Sequence, residues 1–150
     1  MIVNDIVKKS FPELKRDKIL IKESKNKKFD EYFADVTYLF FIKIIRIGKK
    51  MSELSKENGE GVLAHELSHI VLFNKRNFIQ KMIFGIKYYL SERLKGLEER
   101  RTDELAISKG YAKSLYKSRI IRMKDKTSKS NKYYMKPQEI KSYAKKIKKW

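Results

Sequence analysis

The stretch that most constrains this chain is Val62 to Phe73, VLAHELSHIVLF, which is apolar on nearly every side of a helix except at His65, Glu66, Ser68 and His69. A surface helix needs only one apolar stripe, so a helix that is apolar almost all round belongs in the middle of the protein. The two histidines are the only ones in the chain and stand four apart, with Glu66 directly after the first, in an HExxH pattern. Residues i and i+4 share one helical face a turn apart. Two imidazoles placed that way can bind one zinc ion while Glu66 sits beside a metal-held water. Chance would produce this arrangement roughly once in a thousand chains of this composition. The opposing reading is a pair of hydrogen-bonded core histidines with no metal.

Composition then restricts what can complete such a site. The chain has no cysteine, which excludes disulfides, thiol nucleophiles, iron–sulfur clusters and thiolate zinc sites. With both histidines used, the third ligand must be Asp or Glu, and every HExxH scheme that finishes on a third histidine is excluded. The strongest region is Glu98 to Ala106, EERRTDELA, where Glu99 and Asp103 are again i and i+4. One carboxylate can complete the zinc shell while the other accepts the free ring N–H of a ligand histidine and fixes its tautomer. Without the histidine pair, the same stretch reads as a solvated face with ion pairs such as Glu98 with Arg101.

These two blocks, VLAHELSHIVLFN at Val62 to Asn74 and EERRTDELAISKGYAK at Glu98 to Lys113, resemble the active-site helix and the glutamate helix of the gluzincin metallopeptidases. The likeness is to their HExxH plus ExxxD group and, within it, to the soluble minigluzincins. Those proteins are similar to the catalytic cores of CAAX prenyl proteases, heat-shock membrane proteases and beta-lactam sensor peptidases. The resemblance implies an α+β, zincin-like fold with a small sheet, drawn from Lys18 to Ile47, over the active-site helix, followed by a mostly helical C-terminal part. It implies one Zn2+ per chain, with His65, His69 and Glu99 as ligands, Glu66 as general base and acid, and Asp103 as the partner of His65. The substrate it implies is a peptide held extended along an edge strand, expected at Phe41 to Ile47. Thr102 departs from the family pattern, which often has alanine before the Asp.

The rest of the chain supplies the frame. Residues 2–9 read as a short helix stopped at Pro12, and Lys18 to Lys22 as a strand. Lys25 to Asp30 reads as a loop, and Phe33 to Ile47 as one long strand or two. Asn58 is a plausible N-cap for the histidine helix. A second long helix is expected from about Ile86 to Lys109, ending at Gly110, with another from Tyr111 to Met123. After a polar loop at Asp125 to Lys136, Pro137 opens a last helix striped by Ile140, Tyr143, Ala144 and Ile147. The expectation is a single domain over 1–150: residues 1–75 hold the sheet and active-site helix, 76–124 the glutamate helix, and 125–150 a basic extension.

The formal charge of +19 is uneven: residues 1–50 carry +6, 51–110 carry +1, and 111–150 carry +12. Such an excess suits an anionic partner, a membrane surface or nucleic acid, reached through the basic C-terminal region. No helix-turn-helix spacing, RNA-recognition aromatic signature or zinc-finger ligand set accompanies it. The first ten residues have no signal-peptide h-region, and the best membrane candidate, Phe78 to Leu90, is too short and is broken by Gln80, Lys81 and Lys87. With the missing cysteines, this gives an expected cytoplasmic location. The function implied is a zinc-dependent endopeptidase, active or latent, whose oxyanion donor comes from Tyr111, Tyr116, Tyr133, Tyr134 or a nearby arginine. The alternative is a basic regulatory or binding protein on a zincin scaffold with little peptidase activity.

Overall fold

A computed structural model of the chain describes residues 2–24, 32–39, 41–124 and 129–150. Helix α1 (Ile2–Ser10) forms because Val3, Ile6 and Val7 share one face, which it buries in contact with the histidine helix. Strand β1 (Lys18–Glu23) follows, then β2 (Ala34–Leu39) and β3 (Ile42–Ile47), so the apolar run after Phe33 is two strands of a hairpin. The sheet order is β1-β3-β2, with β1 parallel and β2 antiparallel to β3. Ile45 on β3 is fully buried, and Asp35 on β2 pairs with Arg46 directly opposite it on β3. The expected loop at Lys25 to Asp30 lies outside the described residues.

This topology corrects one expectation. The expected edge strand, Phe41 to Ile47, contains β3, and β3 is hydrogen-bonded on both sides, with no free backbone row for an extended peptide. Strands β1 and β2 are the edges.

Helix α2 (Lys56–Asn74) carries both histidines and starts six residues before Val62. Its N-cap is Ser55, whose side chain accepts from the Asn58 amide, so Asn58 belongs to the first turn. Eleven of its residues are buried, Gly59 to Ser68 among them with the exception of Glu60. Tyr38 of β2 stacks on Phe73 at its far end, with ring centroids 3.9 Å apart. The expected helix from Ile86 to Lys109 is two helices: α3 (Phe78–Leu90) and α4 (Glu92–Ala106), separated by Ser91 in extended geometry, whose hydroxyl accepts from the Leu94 amide. The segment Ile107–Tyr111 leads from α4 to α5 (Ala112–Lys124) through a kink at Gly110, the expected helix end, whose φ of 98° is a left-handed conformation that favours glycine.

Helix α6 (Pro137–Lys146) buries Ile140 and Ala144 against α5, so its apolar stripe completes the core. One cluster of buried apolar side chains runs from Val3 on α1 to Ala144 on α6. The arrangement is α+β, mostly helical with one small sheet. Among the described residues, no helix is long and apolar enough to cross a membrane.

Candidate metal centre

Helices α2 and α4 pack side by side and bring their polar residues face to face inside the core. His65, Glu66, Glu99 and Asp103 are all buried, and His69 is partly so. The Nε2 atoms of His65 and His69 lie 3.2 and 3.3 Å from the same oxygen, Oε2 of Glu99. The two imidazole planes are nearly perpendicular, with centroids 4.8 Å apart. One atom from each of His65, His69 and Glu99 falls within 4.8 Å of the other two, a spacing that could hold a metal ion.

The outer sides of both rings are held as well. His65 Nδ1 is 2.8 Å from Oδ1 of Asp103. That carboxylate also accepts from Arg119 Nη2 at 2.7 Å and from the Met135 amide at 2.9 Å, so it acts as an acceptor and the His65 Nδ1–H donates to it. His69 Nδ1 is 3.2 Å from Oγ1 of Thr102. The Thr102 hydroxyl donates to the carbonyl of Glu98 at 2.8 Å, so its lone pair receives the His69 Nδ1–H. The second Glu99 oxygen, Oε1, accepts from the Tyr88 hydroxyl at 2.5 Å.

With both Nδ1 atoms committed as donors, each Nε2 meets the Glu99 carboxylate either as a bare lone pair or as a second N–H. Two lone pairs facing a carboxylate repel, so the gap needs positive charge, supplied by protons or by one metal ion. The energetics point the same way. Burial alone would lower the His65 pKa, but Asp103 and Glu99 outweigh it and push the ring up to about 9. Burial would likewise raise Glu99, yet the two imidazoles hold it well below the usual carboxylate range. Two imidazoles and a carboxylate are borderline donors that suit zinc.

Glu66 follows His65 on α2, and burial raises its pKa. It lines a small cavity with His65, Phe33, Val62, Leu115, Ser118, Arg119, Arg122 and Tyr134. Of the four tyrosines considered from sequence, Tyr134 alone is at the site, its ring 5.6 Å from that of His65. Tyr111 bonds Ser10, Tyr116 packs on Trp150, and Tyr133 bonds Glu92. Burial pushes the Tyr134 hydroxyl pKa upward, so it stays protonated, and Arg119 and Arg122 lie 4.2 and 4.3 Å from its ring centroid. The stretch read as a polar loop at Asp125 to Lys136 therefore brings Tyr134 and the Met135 amide inward; residues 125–128 lie outside the described part.

Tyr88 and Arg119 carry no signal in the sequence, and Thr102, which there is only a departure from the family pattern, is the partner of His69. Tyr88 and Arg119 lie outside both motif blocks' spacings, so only packing could reveal them, and Thr102, though inside the second block, shows its partner only once α4 faces α2. Glu98 also departs from the solvated reading: it is buried and paired with Arg76 at 2.6 Å, whose guanidinium lies 3.8 Å from the Phe84 centroid. No family model, no curated protein and no solved structure matches this chain.

Proposed function

We propose that the protein is a zinc-dependent endopeptidase of zincin-like fold, held in a latent form. The observation that carries this reading is the convergence of His65 Nε2, His69 Nε2 and Glu99 Oε2, with both Nδ1 atoms anchored from behind and Glu66 next in the chain. His65, His69 and Glu99 would hold the ion, one per chain, and Asp103 and Thr102 would orient the rings. Zinc, when bound, supplies Lewis acidity and a water acidic enough to ionise near neutral pH.

Glu66 then takes the proton of the attacking water and delivers it to the leaving amine. Its raised pKa suits a group that must hold that proton between the two events. The Tyr134 hydroxyl, on the same small cavity, donates to the carbonyl oxygen as negative charge gathers there. Since β3 is central, the edge strand that would carry an extended peptide is β2, which contacts α2. Latency rests on burial: His65, Glu66 and Glu99 are each at most 6% exposed, with Tyr88 bonded to Glu99 and Tyr134 against His65. A substrate needs one of these covers moved.

The test is zinc per chain by elemental mass spectrometry on protein purified without chelator, with His69→Ala alongside. About one zinc in the parent and little in the variant is expected. No metal in the parent after zinc is restored would leave two core histidines and overturn the reading. For any library peptide that the parent cleaves, Glu66→Gln should keep its zinc and lose about 10²- to 10⁴-fold in cleavage rate. Equal cleavage by both would remove Glu66 from the mechanism.

A further inference from the structure

Helix α3 is turned the wrong way round for a free surface. Phe78, Ile79, Met82, Ile83, Ile86 and Leu90 occupy one face at helical spacing, and each is between 45% and 81% exposed. The inward positions Lys81, Phe84 and Tyr88 make its contacts: with the Phe73 ring, with Arg76, and with Glu99. Gln80 and Gly85 are the other exposed positions described on this helix, so its outer face carries no charge among the described side chains. On α4, Leu94 and Leu97 add two more exposed apolar side chains. A contiguous row of exposed apolar side chains on one helical face, unlike apolar residues scattered singly, marks a surface that meets a partner.

The charge around this row selects its occupant. Residues 67–91 contain no Asp or Glu, while Lys75, Lys81 and Lys87 fall among them beside Arg76, which is paired with Glu98. Lys75 and Arg93, just before and just after α3, are both exposed, and the one carboxylate beside them, Glu92, is paired with Lys132. A second copy of a chain with formal charge +19 is repelled. Nucleic acid offers phosphates, which gain nothing from an apolar row. An anionic bilayer surface satisfies both features: acyl chains receive the row and acidic headgroups attract the bases beside it. At thirteen residues, α3 spans about 20 Å, short of the roughly 30 Å hydrocarbon core, so it would lie in the interface without crossing.

We propose that the outer face of α3 docks the protein on anionic lipid bilayers, by insertion of Phe78, Ile79, Met82, Ile83, Ile86 and Leu90 below the headgroups. This is independent of the metal, and it places the membrane contact on α3 rather than on the basic C-terminal region.

The chain has no cysteine, so a Met82→Cys variant accepts a single environment-sensitive nitrobenzoxadiazole label, and Ser52→Cys, at an exposed site between β3 and α2, serves as control. Vesicles of phosphatidylcholine with one third phosphatidylglycerol should blue-shift the label at 82 and leave that at 52 unchanged. Pure phosphatidylcholine should bind far more weakly. In co-sedimentation, Ile79→Glu with Ile86→Glu should reduce partitioning about a hundredfold, roughly tenfold for each side chain withdrawn from the acyl region. Both positions are exposed, so an unchanged circular dichroism spectrum verifies the fold. Absence of binding to the acidic vesicles, or binding that the double variant does not weaken, overturns the proposal. So does a lipid-free dimer that the double variant converts to monomer, because the row is then a self-association face.

Discussion

At the scale of single residues, Thr102 shows how much one hydroxyl can decide. Its O–H is committed to the Glu98 carbonyl and its lone pair to His69, which orients the ring so that Nε2 faces Glu99. Thr102→Val keeps the shape and removes both bonds. Partners of this kind are worth about 10- to 100-fold in metal affinity, so zinc competition with a chromophoric chelator should show a loss of that size, with Thr102→Ser restoring most of it. An unchanged affinity would mean that packing alone orients His69. HExxH and the Glu99/Asp103 spacing were legible because helical periodicity puts i and i+4 on one face whatever surrounds them. Tyr88 and Arg119 were not, because they arrive at the site from other helices.

Among elements, α2 and α5 approach each other closely at Gly61. A Cβ built there would stand 2.5 Å from the Leu115 amide nitrogen and 2.6 Å from the Ser114 carbonyl carbon, both backbone atoms that cannot rotate away. Gly61→Ala should therefore push the two helices apart and cost about 3 kcal/mol, at the upper end of ordinary overpacking. Urea denaturation checks this: a midpoint equal to that of the parent would show that the helices slide apart freely. The same shift would draw Arg119 away from Asp103, coupling the packing of α5 to the tautomer of His65. The break at Ser91 was missed in sequence because α3 and α4 are each helical in pattern. What separates them is a cap, which reads as an ordinary polar residue until the turn is seen.

For the whole molecule, the three candidate ligands tie α2 to α4 across the middle of the core. An ion bound only by the folded state stabilises it by mass action, about 4 kcal/mol at a thousandfold excess over Kd. Zinc should accordingly raise the thermal midpoint, EDTA should lower it, and His69→Ala should abolish the difference. A midpoint indifferent to both zinc and chelator would favour a core held by protons alone.

What the sequence determined by itself was local: which residues can share a helical face, which ligand types a chain without cysteine can offer, and where the positive charge accumulates. Those follow from backbone periodicity and from composition, neither of which depends on distant neighbours. The tertiary structure alone decided that β3 is central and closed to a peptide, that Tyr134 and not Tyr111, Tyr116 or Tyr133 reaches His65, and that the apolar side of α3 faces outward. Each depends on which surface an element presents to another one far away in the chain. An amphipathic pattern states that a helix has two faces, but only the packing of the remaining elements determines which face is covered.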